Sequence, residues 1–492
     1  MNTTKRILAF IFASCTLFSL FSCADKGGDE TESDASQLSE TETETERPYL
    51  DDIPDDVRFD GESIRFMTGQ ARKSLVITDE DDPSDVMIDA VWKRNQAIED
   101  RLGVKLELAQ DTHYSNFVST LRNSVTSNAN DYDSVQGHTR FNISVAAEGL
   151  LKNLKNVNYL DFDKSYWSKL YIDNINYKNN IYWAAGDISI EFIKYLYSIF
   201  VQGQMWKDYY PNENIYGIVR EGKWTLDAYQ SYSSVAYRDL NADGKRDIGD
   251  AYGTAIQKGH FLNGMAFSSE VPYASYSEDG VPMVALNNER TVDVFNKLHN
   301  LYYNNDYALM VDLNVYDAAS VQMFTERRLL FCPADFRVSE NAKIRDMEDD
   351  FYVIPMPKFD EAQTNYRTNQ YDGVPIIGIP ITTPLNKIEA VGATLEMMAS
   401  MGSQMVIPTY YDKCLKNKYS RDKETAEMID LIHDSITADF IFAWGDTIGS
   451  VYNLFYENIQ KDSITSTIKT YAKVWSKNLD KLLKQLESNA AN

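Results

Sequence analysis

The sequence predicts an α/β fold in two or more lobes, and three observations carry that reading. The chain has 492 residues, more than a single hydrophobic core usually supports. Along the first part of its body the apolar periodicity alternates between two and 3.6 residues. The segments so defined run strand, helix, strand, helix, strand, the order of a parallel sheet wrapped by helices.

Taken in chain order, the first segment is not part of that fold. Lys5 and Arg6 precede an apolar run, Ile7 to Phe21, that is short for a permanent span and ends in Leu20-Phe21-Ser22-Cys23. The run resembles a bacterial lipoprotein signal peptide over residues 1–22. The resemblance implies cleavage before Cys23 and a diacylglycerol on its thiol, a two-chain anchor that holds at a membrane. An ordinary secretory signal with an incidental cysteine is the plainer alternative. Residues 23–56 follow, and after Cys23 they read "ADKGGDETESDASQLSETETETER", acidic and almost free of apolar side chains. Such a tract cannot bury enough surface to order itself, and reads as a tether.

Order is expected from Val57. "SIRFMTG" alternates as a strand, and Val86, Met87, Val91, Trp92, Ile98 and Leu102 recur at helical spacing before Gly103. "VKLEL" is a strand, Ser115 to Ser127 a helix and "YDSVQG" a third strand. Ligands of such sheets bind beyond the carboxyl ends of strands, here Thr68, Gly69 and the run Gln136 to Arg140. Further on, "IYWAAGD" reads as a strand or hairpin and Tyr195 to Val201 as a strand. A helix starts at Gln204, and Thr225 N-caps another. "RRLLFCPADFR" is a strand running into a turn, "VIPMPKF" is broken by proline and "GVPIIGIP" is a β run. "NKIEAVGATLEMMASM" is an amphipathic helix, and the remaining chain is mostly helical.

The formal net charge of −25 argues against nucleic acid as a partner, since phosphate binding needs a basic surface. Of the four cysteines, Cys15 lies in the signal and Cys23 at its end. Cys332 and Cys414 fit a disulfide or two buried thiols equally. The five histidines form no HExxH pattern, and neither a GxSxG elbow nor a GxxxxGK[ST] loop occurs. A carboxylate pair of the glycosidase kind is spatial and stays open as an alternative.

Several segments fall in an order that resembles the extracellular solute-binding proteins of bacterial ABC importers, family 1, the sugar-binding type. They are "IEDRLGVKLEL", "NDYDSVQG", "GLLKNL", "GKWTLDAYQ", "DLNADGKRDIGDAYG", "GIPITTPLNKIEAVGATLEMMAS" and "YYDKCLKNKYSRDKETAEMIDLI". The resemblance implies a two-lobe, type II periplasmic-binding-protein-like fold with a hinge and an inter-lobe cleft. One lobe would hold about 57–160 plus 380–402, the other about 161–379 plus 403–492. It implies a monomer, lipid-anchored on the extracytoplasmic face, that captures a carbohydrate and passes it to ABC permease subunits without covalent chemistry. A surface glycan-binding or sensor lipoprotein is the alternative.

Sugar recognition needs flat apolar faces and polar groups that bind hydroxyls in pairs. The candidates are Trp183, Trp224, Trp444 and Phe336 as platforms, with Trp206 beside them, and His138, Arg140, Asp187, Asp335, Arg337 and Arg367 as polar contacts. Each aromatic has a place in the core as its alternative, and each charge a surface ion pair. One of these segments also reads on its own spacing. In "DLNADGKRDIGD", Asp239, Asn241 and Asp243 take positions 1, 3 and 5 of an EF-hand-type loop, with Gly244 at the sharp turn. Lys245 would offer its carbonyl, and Asp247 and Asp250 fill positions 9 and 12. That oxygen set suits a structural Ca²⁺, with the shorter Asp250 standing where Glu is usual. An Asp/Asn/Gly surface turn without an ion is the alternative.

Overall fold

The structure is a computed structural model that describes residues 50–69, 85–411 and 423–490. The signal peptide, Cys23, most of the tether and Cys414 lie outside the described residues. No helix among the described residues is long and apolar enough to cross a membrane.

Two sheets organise the body. The first has the order β11-β3-β1-β2, from β1 (Glu62–Gly69), β2 (Val104–Thr112), β3 (Ser134–His138) and β11 (Pro375–Gly378). β1 pairs in parallel with β2 and β3, as the alternating pattern required, and β11 closes the edge antiparallel to β3. The helix Val86–Leu102 begins where the Asp85 carboxylate accepts the N–H groups of Met87 and Ile88. It stops at Gly103, whose φ of 63° lies in the left-handed region. Its apolar stripe (Met87, Val91, Ile98, Leu102) is buried.

The second sheet is mixed, with the order β10-β4-β9-β5-β8. Its strands are β4 (Tyr197–Gln202), β5 (Tyr252–Gln257), β8 (Ala308–Val311), β9 (Leu329–Asp335) and β10 (Phe351–Pro355). A small hairpin joins β6 (Ala274–Tyr276) to β7 (Pro282–Val284). Sequence reasoning did not find β5 or β8, and "IYWAAGD" forms only isolated bridges, Trp167 with Gly186 and Ala184 with Ile377. "VIPMPKF" supplies the end of β10 despite its prolines, because β10 is an edge strand.

The expected lobe boundaries need correction. β11 lies in the stretch assigned to the second lobe yet belongs to the first sheet. Tyr166, Trp167, Ile172 and Ile188 likewise pack in the same core as Ile64, Leu106 and the helix Ile388–Met401. Order also begins before Val57. Ile53 is buried, and the buried Asp51 carboxylate meets Arg101 at 3.1 Å and accepts the Ser400 hydroxyl. The returning segment is fastened to the first sheet by Lys387, whose Nζ lies 2.8 Å from the buried Asp133 carboxylate.

The chain therefore crosses between the sheets more than once, and two crossings pair with each other. Tyr371 donates its N–H to the Tyr195 carbonyl at 2.9 Å and Tyr197 donates to Asn369 at 3.2 Å, with Leu196 and Gln370 bridged antiparallel. This short ribbon, residues 195–197 against 369–371, is the hinge of a two-lobe α/β fold.

Inside the first lobe, Glu396 is 1% exposed. It accepts Tyr166 Oη at 2.5 Å, Trp167 Nε1 at 2.8 Å and the Asp161 N–H at 3.2 Å. Burial outweighs these bonds and pushes its carboxyl up from 4.5 to about 7. A folded-state value above the unfolded one favours the fold while the group is protonated, so the stabilisation is present below pH 4.5 and lost by about pH 7. We expect a fall in unfolding free energy on the order of 3 kcal/mol across that window from this group. Glu396→Gln is expected to remove it, which urea unfolding at stepped pH would read; an unchanged slope in the variant would count against the assignment.

Candidate functional site between the two sheets

The carboxyl ends of strands from both sheets meet at the hinge. β3 ends at His138, whose N–H donates to Asn142 Oδ1 at 2.8 Å and so turns the chain into the short helix Thr139–Asn142. That turn aims Arg140 at the hinge segment. Arg140 Nη1 donates to Asp372 Oδ2 at 3.0 Å, Nε to Asp446 Oδ2 at 2.8 Å and Nη2 to Asn453 Oδ1 at 3.0 Å. Its guanidinium lies 4.1 Å from the centre of the Tyr452 ring.

The second sheet supplies the facing groups. β9 ends at Asp335, which accepts Arg337 Nε at 2.9 Å and Nη2 at 2.5 Å. Arg337 in turn covers the hinge rings of Tyr195 and Tyr371, at 4.4 and 4.7 Å. Just beyond β5, His260 packs on Tyr371 with ring centres 4.6 Å apart. Its Nδ1 is 3.1 Å from Tyr452 Oη and 3.7 Å from Asp372 Oδ2. His138 Nε2 stands 3.8 Å from the other Asp372 oxygen. Asp372, 7% exposed, is thus shared by Arg140 and two imidazoles.

Burial pulls the Arg140 guanidinium down, but its bond to Asp446 and the charges of Asp372 and Asp446 outweigh that and hold it above its ordinary value. Arg337 is raised the same way by Asp335 against its own burial. Burial lowers His260; Asp372 opposes the shift and the two arginines reinforce it, so the ring is neutral at pH 7. Tyr197 Oη, Gln257 Oε1, Asn263 Oδ1 and Asp372 Oδ1 are buried without a hydrogen-bond partner among the described residues. A cavity of about 40 Å³ lies between Arg140, Asn369, Asp372, Asp439 and Tyr452. A larger pocket, about 360 Å³, is bounded by Phe261, Asp317, Asp335, Arg337 and Asn341.

Of the predicted contacts, His138, Arg140, Asp335 and Arg337 are brought together here. The predicted platforms are not. Trp183, Trp224, Trp444 and Phe336 are each at most 1% exposed. Trp183 donates its indole N–H to Ile143 O, Trp224 to Pro355 O and Trp444 to Ile175 O. Trp206 is also buried, and its indole N–H is held by Glu213 O. A stacking wall needs an open face, and these rings are core. Asp187 lies elsewhere, packed under Gly402 and beside Ser403 and His433, with burial pushing its carboxyl up to about 6. Arg367 covers the Phe267 ring at 4.7 Å rather than joining the cluster. The residues that sequence reasoning missed are His260, Tyr371, Asp372, Asp446 and Tyr452. One signal was present: His260 follows a strand end, as His138 does. Phe141, next to Arg140, is 37% exposed, with its ring stacked on Tyr114 at 4.9 Å and the Arg140 guanidinium 4.9 Å from its centre.

The Asp/Asn loop enters β5 and is closed by mutual backbone bonds between Arg238 and Ala251, each 3.0 Å. Asp239 accepts the N–H groups of Ala242 and Gly244, Asn241 that of Asp243, and Asp243 that of Lys245. Asp247 caps Gly249, and the fully buried Asp250 accepts the Leu240 N–H at 3.1 Å. These are the turns such a loop needs, and the oxygen donors suit a hard cation. Among the described residues, however, no three His, Cys, Asp or Glu side chains stand close enough to share a metal ion. Ligation would require the carboxylates to draw in.

No family model and no curated protein matches this sequence. Solved structures do match. A cyclo/maltodextrin-binding protein complexed with maltotetraose superposes with a TM-score of 0.54 at 11% identity, covering 88% of this chain and 98% of that one. An ABC substrate-binding protein from Listeria monocytogenes, in complex with cycloalternan, gives 0.51 at 13% identity over 87% of this chain and all of the other. The chain has the fold of the ABC solute-binding proteins. UgpB from Mycobacterium tuberculosis, in complex with glycerophosphocholine, is similar too, with a TM-score of 0.51 at 14% identity over 87% of this chain and 98% of that one. At such identities the likeness is one of fold, and a solute-binding-protein fold accommodates chemically different ligands.

Arg140 is the group whose removal should be felt most. Arg140→Ala leaves two carboxylates, one of them buried, without their main partner, and a broken buried pair costs about 3 to 5 kcal/mol. The expected loss, reduced by the partial exposure of Asp446, is about 3 kcal/mol in urea unfolding. A change below 1 kcal/mol would show that the cluster does not hold the lobes (roughly the worth of a surface pair).

Proposed function

We propose that this chain is an extracytoplasmic solute-binding lipoprotein that captures a carbohydrate between its lobes and presents it to an ABC permease. The observation that carries the reading is the convergence of strand ends from both sheets on one hinge. A ligand seated there touches both lobes only when they approach, so binding favours the closed form. The groups at hand suit hydroxyls: carboxylates accept, guanidiniums and amides pair, and the exposed part of the Phe141 ring can meet the apolar side of a sugar. The two structural relatives bound to oligosaccharides support a carbohydrate. This is binding without covalent chemistry, so an oligosaccharide incubated with the protein is returned intact. The lipid on Cys23 and the acidic tether would hold the body near the membrane, an anchor that Cys23→Ser releases.

A saccharide that binds the folded chain must stabilise it by mass action, by about 2.7 kcal/mol at a hundredfold excess over Kd, and so raise its melting temperature. A thermal-shift panel of mono- and oligosaccharides is expected to contain at least one such ligand. A panel without a single shift would overturn the carbohydrate reading.

The Asp/Asn loop is proposed to hold a structural Ca²⁺ through Asp239, Asn241, Asp243, Asp247, Asp250 and the Lys245 carbonyl. The ion would pin the entry to β5, away from the cleft. Chelation with EDTA is expected to lower the melting temperature, with Ca²⁺ restoring it. Asp243→Ala should abolish that response and leave saccharide affinity unaltered. Identical melting with and without EDTA would refute the site.

A further inference from the structure

The cleft has a charge balance, and its sign bears on which solutes it admits. Its guanidiniums are Arg140 and Arg337. Both are engaged, Arg140 with Asp372 and Asp446 and Arg337 with both oxygens of Asp335. A further carboxylate, Asp317, lines the same 360 Å³ pocket as Asp335 and Arg337. Burial and the Asp335 charge push Asp317 up, while Arg337 and His260 pull it down, which places all four groups within one electrostatic neighbourhood. Asp317, Asp335, Asp372 and Asp446 thus stand against Arg140 and Arg337. Even a protonated His138 would leave the balance negative.

The unpaired polar atoms lean the same way. Gln257 Oε1, Asn263 Oδ1 and Asp372 Oδ1 are acceptors, against the Tyr197 hydroxyl, which can donate or accept, and Asn369 Nδ2, which donates. The orientation of Asn263 is set by its Nδ2, which donates to Tyr452 O at 3.0 Å, so the free atom is the oxygen. A cleft with surplus acceptors and surplus negative charge is completed by a ligand that donates hydrogen bonds and brings no anion.

We propose that the cleft selects by charge, binding neutral or amine-bearing sugars and rejecting their carboxylated counterparts. The inference rests on the carbohydrate reading above but is separable from it. The probes are glucose, galactose and mannose with their 2-amino and 6-carboxylate derivatives, each as monosaccharide and as α- and β-linked dimers, titrated calorimetrically into the full chain at pH 7. Within any series that binds, the carboxylate member is expected to be at least tenfold weaker than the neutral one, and the amine at least equal to it. Asp317→Asn keeps the shape of the side chain and removes its charge, and is expected to fold as the parent does and to narrow the neutral-to-acidic ratio about threefold. A carboxylated sugar that binds as tightly as its neutral counterpart, or a ratio unmoved by Asp317→Asn, would overturn charge selection while leaving carbohydrate binding intact. Failure of every sugar would remove the carbohydrate reading itself, and this inference with it.

Discussion

A buried carboxylate needs neighbours that replace the hydrogen bonds of the water it has lost. For Asp372 those neighbours come from both halves of the molecule. Arg140 and His138 lie at the end of β3 in the first sheet, and His260 lies beyond β5 in the second. Asp372 itself sits next to Tyr371, whose backbone N–H closes the ribbon with residue 195. The pairing therefore couples the hinge backbone to the inner surfaces of both lobes. Whatever approaches the cleft must compete with this arrangement or build on it.

Much of the fold was visible in the sequence because periodicity reports burial directly. β1 to β3 and the helices between them follow the alternation and the capping residues closely, and Thr225 caps its helix as read. β5 escaped because it follows a polar loop and carries Gly253, which reads as a strand breaker. In space that glycine is required: a Cβ there would sit 1.9 Å from the Ser233 carbonyl oxygen. β8 is only four residues long, too short for alternation to register.

The site was half legible for a related reason. His138, Arg140, Asp335 and Arg337 could be grouped from the sequence because strand ends are readable there. Asp372, Asp446 and Tyr452 come from segments without a pattern of their own, and only the crossing of the chain brings them to Arg140. The tryptophans misled because a large ring suits a core as well as a binding wall, and residue type does not separate the two. Several tyrosines are likewise structural, as in Tyr166 with Glu396, Tyr229 with Thr254 and Tyr210 with the Tyr232 carbonyl.

The edge position of β11 has a consequence for how the chain is made. β3 ends at residue 138, and the strand that covers its edge begins at residue 375. Until that later segment emerges, the amino-terminal sheet has an unpaired edge and lacks the helix Ile388–Met401 that fills its core. Closing so long a loop is slow, because its entropy is lost before its contacts form. The amino-terminal lobe therefore cannot finish first during synthesis, as beads on a string would. Both halves become complete only after residue 401, within the last fifth of the chain.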